Sequence, residues 1–153
     1  MPDQLPPYRS FLASDSEIRE ILRDYRSIAM IGLAADSEPA ILDEVRALNL
    51  RGYRVLPVHP GQGELLGQRV HADLPSIPEP VGIVAVLASF RPLCEVALEA
   101  HRIGARVFWL EPGGGDAESA YEASKLGLQV VLNRTIIGEY EMHFPDDELG
   151  YPD

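Results

Sequence analysis

Five short apolar runs, recurring along the chain without polar alternation, limit its possible folds more than any other feature. They are Ile28-Ala29-Met30-Ile31, Val55-Leu56-Pro57-Val58, Val81-Gly82-Ile83-Val84-Ala85-Val86-Leu87, Val107-Phe108-Trp109-Leu110 and Val130-Val131-Leu132. A strand with one wet face alternates apolar and polar residues. A run that does not alternate is covered on both faces, as a parallel strand between helical layers is. The intervening stretches, roughly 38–50, 92–103 and 116–126, are predicted helices. Each runs to a glycine, Gly52, Gly104 or Gly127, the residue suited to the left-handed position after a helix. Upstream, Ser14 or Asp15 can cap a helix that carries Ile18, Ile21 and Leu22 on one face and ends near Arg26.

Strand, helix, glycine, strand is the βαβ rhythm. It predicts a Rossmann-like, doubly wound, five-stranded parallel sheet in three α/β/α layers, with the five runs in the order 3-2-1-4-5. The length of 153 residues suits one such domain, expected over 14–144. A Pro-rich extension over 1–13 precedes it and an acidic tail over 145–153 follows. Ligand is expected beyond the carboxyl ends of the strands, where strand order reverses. The connection from Pro60 to Pro80 breaks the rhythm, because Gly61, Gly63, Gly67, Pro75 and Pro78 interrupt any long helix. It is expected to be mostly loop with a short turn, and long loops of this kind often carry function.

Composition removes several classes. A formal charge of -11 repels a polyanion, and thirteen scattered Lys and Arg form no basic stripe, so nucleic acid is not an expected partner. No run approaches the ~20 apolar residues of a membrane span, and the N-terminus lacks a signal-peptide pattern. A cytoplasmic location without membrane association is therefore expected. The single cysteine, Cys94, reads as core filling in a helix. The histidines, at 59, 71, 101 and 143, lack metal-ligand spacing, so no metal site is expected. No G-x-S-x-G elbow or P-loop occurs, and no catalytic constellation is visible.

The first run leads through Gly32-Leu33-Ala34-Ala35-Asp36-Ser37 into a helix. A glycine there lets backbone N–H groups approach a pyrophosphate at the positive helix end, and it serves equally well in a tight strand-to-helix turn. Only one of the three glycines of G-x-G-x-x-G is present, and the second strand ends in His59-Pro60 rather than in a ribose-binding carboxylate. An NAD(P)-type enzyme or sensor is accordingly an alternative reading.

Several segments together carry a family resemblance across roughly residues 14–142. They are Gly32-Leu33, Gly52 through Pro60, Leu66-Gly67, Ile77-Pro78-Glu79-Pro80-Val81, Ile103 through Leu110, and Asn133-Arg134 with Glu139. The sequence resembles the coenzyme A-binding domain proteins, stand-alone relatives of the first domain of the succinyl-CoA synthetase α subunit. The resemblance implies coenzyme A or an acyl-CoA as ligand and binding without catalysis, since the ligase's phosphorylated histidine belongs to a following domain. It places pyrophosphate at Gly32, Leu33 and Ala34. The adenosine end falls near Val58, His59, Pro60 and Gln62 and near Leu87, Ala88, Ser89 and Arg91, with the pantetheine arm toward Glu111 and Gly113.

The same resemblance marks departures. Where the ligase relatives read V-S-P-G-K-G-G, this chain reads Val58-His59-Pro60-Gly61-Gln62-Gly63-Glu64, and Asp36 stands where stand-alone relatives often have a basic residue. An amide donates hydrogen bonds without the charge-assisted part. Arg91 is the nearest surviving cation. Arg134 either contacts ligand or pairs with Glu139 to close the C-terminal segment over the sheet. The lost cations keep a third reading open, a protein-interaction domain with a degenerate nucleotide pocket.

Overall fold

The structure, a computed structural model, describes residues 10–146. Its helices are α1 (Asp15–Asp24), α2 (Pro39–Leu50), α3 (Leu93–Arg102), α4 (Ala117–Ser124) and α5 (Ile136–His143). Its strands are β1 (Ser27–Ile31), β2 (Arg54–Val58), β3 (Glu64–Leu65), β4 (Gln68–Arg69), β5 (Ile83–Val86), β6 (Val107–Leu110) and β7 (Gln129–Leu132). The five apolar runs form one all-parallel sheet in the spatial order β2-β1-β5-β6-β7, and β3 and β4 make a small antiparallel hairpin apart from it.

Counting only the five long runs, this order is 2-1-3-4-5 and not the expected 3-2-1-4-5. Ile83 through Val86 pair directly with Ile28 through Ile31, so the third run lies beside the first. Pro57 supplies the physical reason. A proline has no N–H to donate into a ladder and is confined to sheet edges, so β2 cannot take the interior place that the expected order gave it. Pro57 turns its carbonyl outward to the His71 N–H (2.9 Å), and the His59 N–H bonds the His71 carbonyl (2.8 Å), which covers the open edge.

Successive residues of each strand face opposite layers, and both layers are dry. On one face Ile28, Met30, Val55, Ile83, Val107 and Trp109 pack against α1, α2 and α5. On the other, Ala29, Ile31, Leu56, Val84, Phe108 and Val130 pack against α3, α4 and the 3-10 turn Leu74–Ser76. This double cover explains why the runs lack alternation. The α1 helix opens with a capping box, in which the Glu17 N–H donates to Ser14 Oγ (3.2 Å) and the Ser14 N–H donates to Glu17 Oε1 (2.8 Å). Gly52, Gly104 and Gly127 follow α2, α3 and α4 with positive φ. Arg54, at the start of β2, pairs with Glu79 ahead of β5, its Nε–H and Nη2–H donating to the two carboxylate oxygens and tying the long connection back to the sheet.

The last residues of the lead-in run beside β7. Ala13 donates to the Val130 carbonyl (2.8 Å), Leu12 bridges Val130, and the Phe11 ring meets Tyr121 at 5.2 Å, so residues 11–13 belong to the β7 edge. Residues 1–9 of the extension and 147–153 of the acidic tail lie outside the described residues. The connection 60–80 holds the β3–β4 hairpin and one 3-10 turn. The α5 helix was not expected. Thr135 caps it, Oγ1 accepting the Gly138 N–H (3.1 Å).

Two buried carboxyl groups seat that helix. Glu111, just past β6, accepts the Ile136 N–H at Oε2 (2.9 Å), and Glu44, inside α2, accepts the Ile137 N–H (3.4 Å). These amides belong to the first turn, where no intrahelical acceptor exists. Glu44 stands beside Glu111, and its charge there favours the protonated form of the Glu111 carboxyl. Burial first, then the neighbouring Glu44 charge, pushes the Glu111 carboxyl up to about 8, against the pull of the Ile136 amide.

Gly32, at the end of β1, has φ of +94°, and a Cβ on it would stand 2.6 Å from the Ala88 carbonyl oxygen and 2.8 Å from the Ala88 nitrogen. Gly32→Ala should therefore destabilise the fold by about 1–3 kcal/mol. Gly113→Ala, also at positive φ but with open space around the Cβ, should cost less; denaturant midpoints at unchanged slope check both. The Glu111 carboxyl makes stability depend on pH. Above the ordinary carboxylate range and below about 8, the folded chain keeps a proton that the unfolded chain has released. Stability is thus full at acid pH and falls as pH rises through about 8. Glu111→Gln, which can still donate to Glu44 and accept from Ile136, should flatten that decline, measured by unfolding from about pH 5 to about pH 9.

Candidate functional site

Sheet order decides where ligand can enter. The winding reverses between β1 and β5, and beyond their carboxyl ends the chain leaves toward opposite layers, opening a cleft. Two cavities occupy this edge. One, of about 230 Å³, has Ile31, Val58, Leu74 and Val96 as apolar floor and Pro60, Asp73, Phe90 and Glu99 around it. The other, of about 380 Å³, lies along Leu93, Gly113, Gly114, Gly115, Asp116 and Ser119. Ser89 and Arg91 line both and form the wall between them.

The turn after β5 is held locally. Ser89 Oγ donates to the Arg91 carbonyl (2.5 Å) and accepts the Arg91 N–H (3.2 Å), which fixes the Arg91 backbone while its guanidinium reaches along α3. There it pairs with Glu99 and lies 3.8 Å from Glu95. In the loop after β2, His59 Nδ1 accepts the Gly61 N–H (2.9 Å), and the His59 ring meets Phe90 edge-on at 4.7 Å between centroids. His59 is thus a loop histidine satisfying a backbone amide, with one aromatic face partner. Asp116 caps α4, and the Ser119 amide and hydroxyl hold its carboxyl below the usual carboxylate range, so the second cavity keeps a negative charge.

Of the residues expected at the site, Val58, Pro60, Ser89 and Arg91 line the first cavity, while Ser89, Arg91 and Gly113 line the second. The others do different work. Gly32 donates its N–H to the Val58 carbonyl (2.8 Å), and its Cβ direction is filled by Ala88 backbone, so the missing side chain serves strand packing. Leu33 is fully buried, and the Ala34 N–H bonds Ser37 Oγ (3.0 Å). Leu87 packs toward the α1, α2 and α5 layer and donates to the Ile31 carbonyl (2.9 Å), away from the cleft. Gln62 is exposed at φ of +57° in the turn that its N–H closes on the His59 carbonyl (3.0 Å), and it lines neither cavity.

Glu111 and Arg134 make their contacts away from both cavities. Glu111 turns to Glu44 and the start of α5, on the layer opposite both cavities. Arg134 bonds Glu139 (3.2 Å) and Asp15 (3.4 Å), and its carbonyl accepts Trp109 Nε1–H (2.7 Å), so it fastens the C-terminal segment over the sheet. Sequence reasoning missed Asp73, Leu74, Val96 and Glu99 on the cleft and Glu44 beneath α5. Glu44 had a signal: it sits between Ile41 and Leu48 on the apolar stripe of α2, where a carboxylate needs a buried partner. Among the described residues there is no cluster of three or more potential metal ligands, and no helix is long and apolar enough to cross a membrane.

Comparison with known proteins places this cleft in context. YneT, an uncharacterised protein of Bacillus subtilis strain 168, is 31% identical over 123 residues, covering 80% of this chain and 91% of YneT. A hypothetical protein from Pyrococcus horikoshii OT3 superposes with a TM-score of 0.80 at 28% identity, over 94% of this chain and 99% of that one. A Thermus thermophilus protein does so at 0.73 and 33% identity, over 86% and 100%. A dinucleotide-forming acetyl-coenzyme A synthetase from Ca. Korarchaeum cryptofilum, in complex with phosphate and ADP, shares the fold alone. Its TM-score is 0.61 at 19% identity, with 74% of this chain covering 27% of that enzyme. Residues 26–141, which include every wall of both cavities, match the CoA binding domain, and the chain belongs to that family.

Proposed function

We propose that this chain binds coenzyme A or an acyl-CoA in the edge cleft and does no chemistry on it. The observation that carries the reading is the position of the cleft: it lies at the β1/β5 reversal, inside the region matched by the family, with the cation Arg91 at the junction of its two cavities. The apolar cavity, floored by Ile31, Val58, Leu74 and Val96 and edged by Phe90, suits a flat ring. Arg91 stands where a phosphate would follow. The open backbone at Gly113 leaves room for an extended arm along the second cavity. The hydroxyl at the junction of the two cavities, Ser89, is engaged with the Arg91 backbone.

Thermal melts with coenzyme A, dephospho-coenzyme A, NAD and NADP test this. Coenzyme A at a hundred times its dissociation constant should stabilise the chain by ~2.7 kcal/mol, with NAD and NADP leaving the melt unchanged. A shift with NAD or NADP and none with coenzyme A would assign the cleft to another dinucleotide. No shift with any of the four would turn attention to a protein partner.

A further inference from the structure

The charge inventory of the cleft is lopsided. Among the described residues its two cavities are lined by one cation, Arg91, and by three carboxylates, Asp73, Glu99 and Asp116. Asp73 is engaged in capping the 3-10 turn through the Ser76 N–H (3.0 Å), and Asp116 caps α4 through the Ser119 N–H (2.9 Å). Glu99 caps nothing; its partner is the Arg91 guanidinium.

Arg91 precedes α3 by two residues, so Glu95 and Glu99 fall four and eight positions on, along one stripe of that helix. They are not equivalent partners. The Glu95 side chain is 57% exposed and 3.8 Å away, a contact that solvent largely screens. The Glu99 side chain is 20% exposed, lines the first cavity and takes a guanidinium N–H directly. A charge-assisted hydrogen bond in that less hydrated position is the stronger of the two.

We propose that Glu99 sets the selectivity of the cleft by holding Arg91, so that a phosphorylated ligand gains the cation only by displacing a carboxylate from it. The proposal rests on the reading of the cleft as a coenzyme A site. It follows that the chain discriminates against phosphates more than the shape of its cavities requires, and that ligands lacking phosphate are indifferent to Glu99. Because Ser89 fixes the Arg91 backbone through two hydrogen bonds, the competition is confined to the guanidinium and needs no movement of the loop.

Calorimetric titration of the full chain and of Glu99→Gln with coenzyme A and with adenosine tests this. The amide keeps the shape of the carboxylate and removes its charge. Affinity for coenzyme A should rise about tenfold, the equivalent of ~1.4 kcal/mol, and affinity for adenosine should stay within about twofold, well inside that margin. The gain should shrink at high salt, where exposed charges are screened. It should vanish when Arg91→Met is added to Glu99→Gln, and Glu95→Gln should give little of it. A thermal melt of each variant confirms folding. If the parent binds coenzyme A and Glu99→Gln binds it no better, or gains equally for adenosine, the role of Glu99 is overturned and the site reading stands. A gain that survives Arg91→Met also overturns it. If neither protein binds coenzyme A, both fall.

Discussion

The contact between Gly32 and Ala88 organises the carboxyl edge of the sheet. With 2.6 Å between a would-be Gly32 Cβ and the Ala88 oxygen, only a residue without a side chain lets β1 and the segment after β5 run this close. The neighbouring bonds depend on that approach. Gly32 donates to Val58, while Leu87 donates to Ile31, so the ends of β2, β1 and β5 are drawn into one row. Beyond it the chain parts, into α2 on one layer and α3 on the other, and the first cavity opens where it parts. The glycine that resembles a phosphate-binding fingerprint thus shapes the carboxyl edge through backbone packing.

An acidic chain has to place its carboxylates, and this one uses them in two contrasting ways. Glu44 and Glu111 are buried side by side and satisfy the amides of the first turn of α5, so they act as a polar seam in an otherwise apolar layer. Glu95, Glu99 and Asp116 stay near solvent and set the field at the cleft. A buried pair shapes stability because water cannot relieve it. A half-hydrated pair such as Arg91 with Glu99 contributes little to the fold and can be exchanged for a ligand.

Some of what was misread in the sequence had a visible cue. Pro57 marks β2 as an edge strand, which excludes the order 3-2-1-4-5, yet an apolar run of β-branched residues hides a proline well. Glu44 on the apolar stripe of α2 announces a buried partner. Other parts had no cue. Nothing in Glu111 distinguishes a side chain turned toward α5 from one turned toward Gly113, because the choice depends on which layer Glu44 occupies. Likewise Asp73 and Glu99 reach the same cavity from a loop and a helix far apart in the chain.

From the sequence alone come the five strands, the helices α1 to α4 and their glycine ends, and the parallel α/β class. These follow from local periodicity and from covering both faces of each strand. Tertiary structure decided the strand order, the docking of α5, the direction of each side chain at the carboxyl edge and the pairing that holds Arg91. Such features depend on contacts between residues distant in sequence. In this chain they turn on distances of a few ångströms between backbones, which no local pattern encodes.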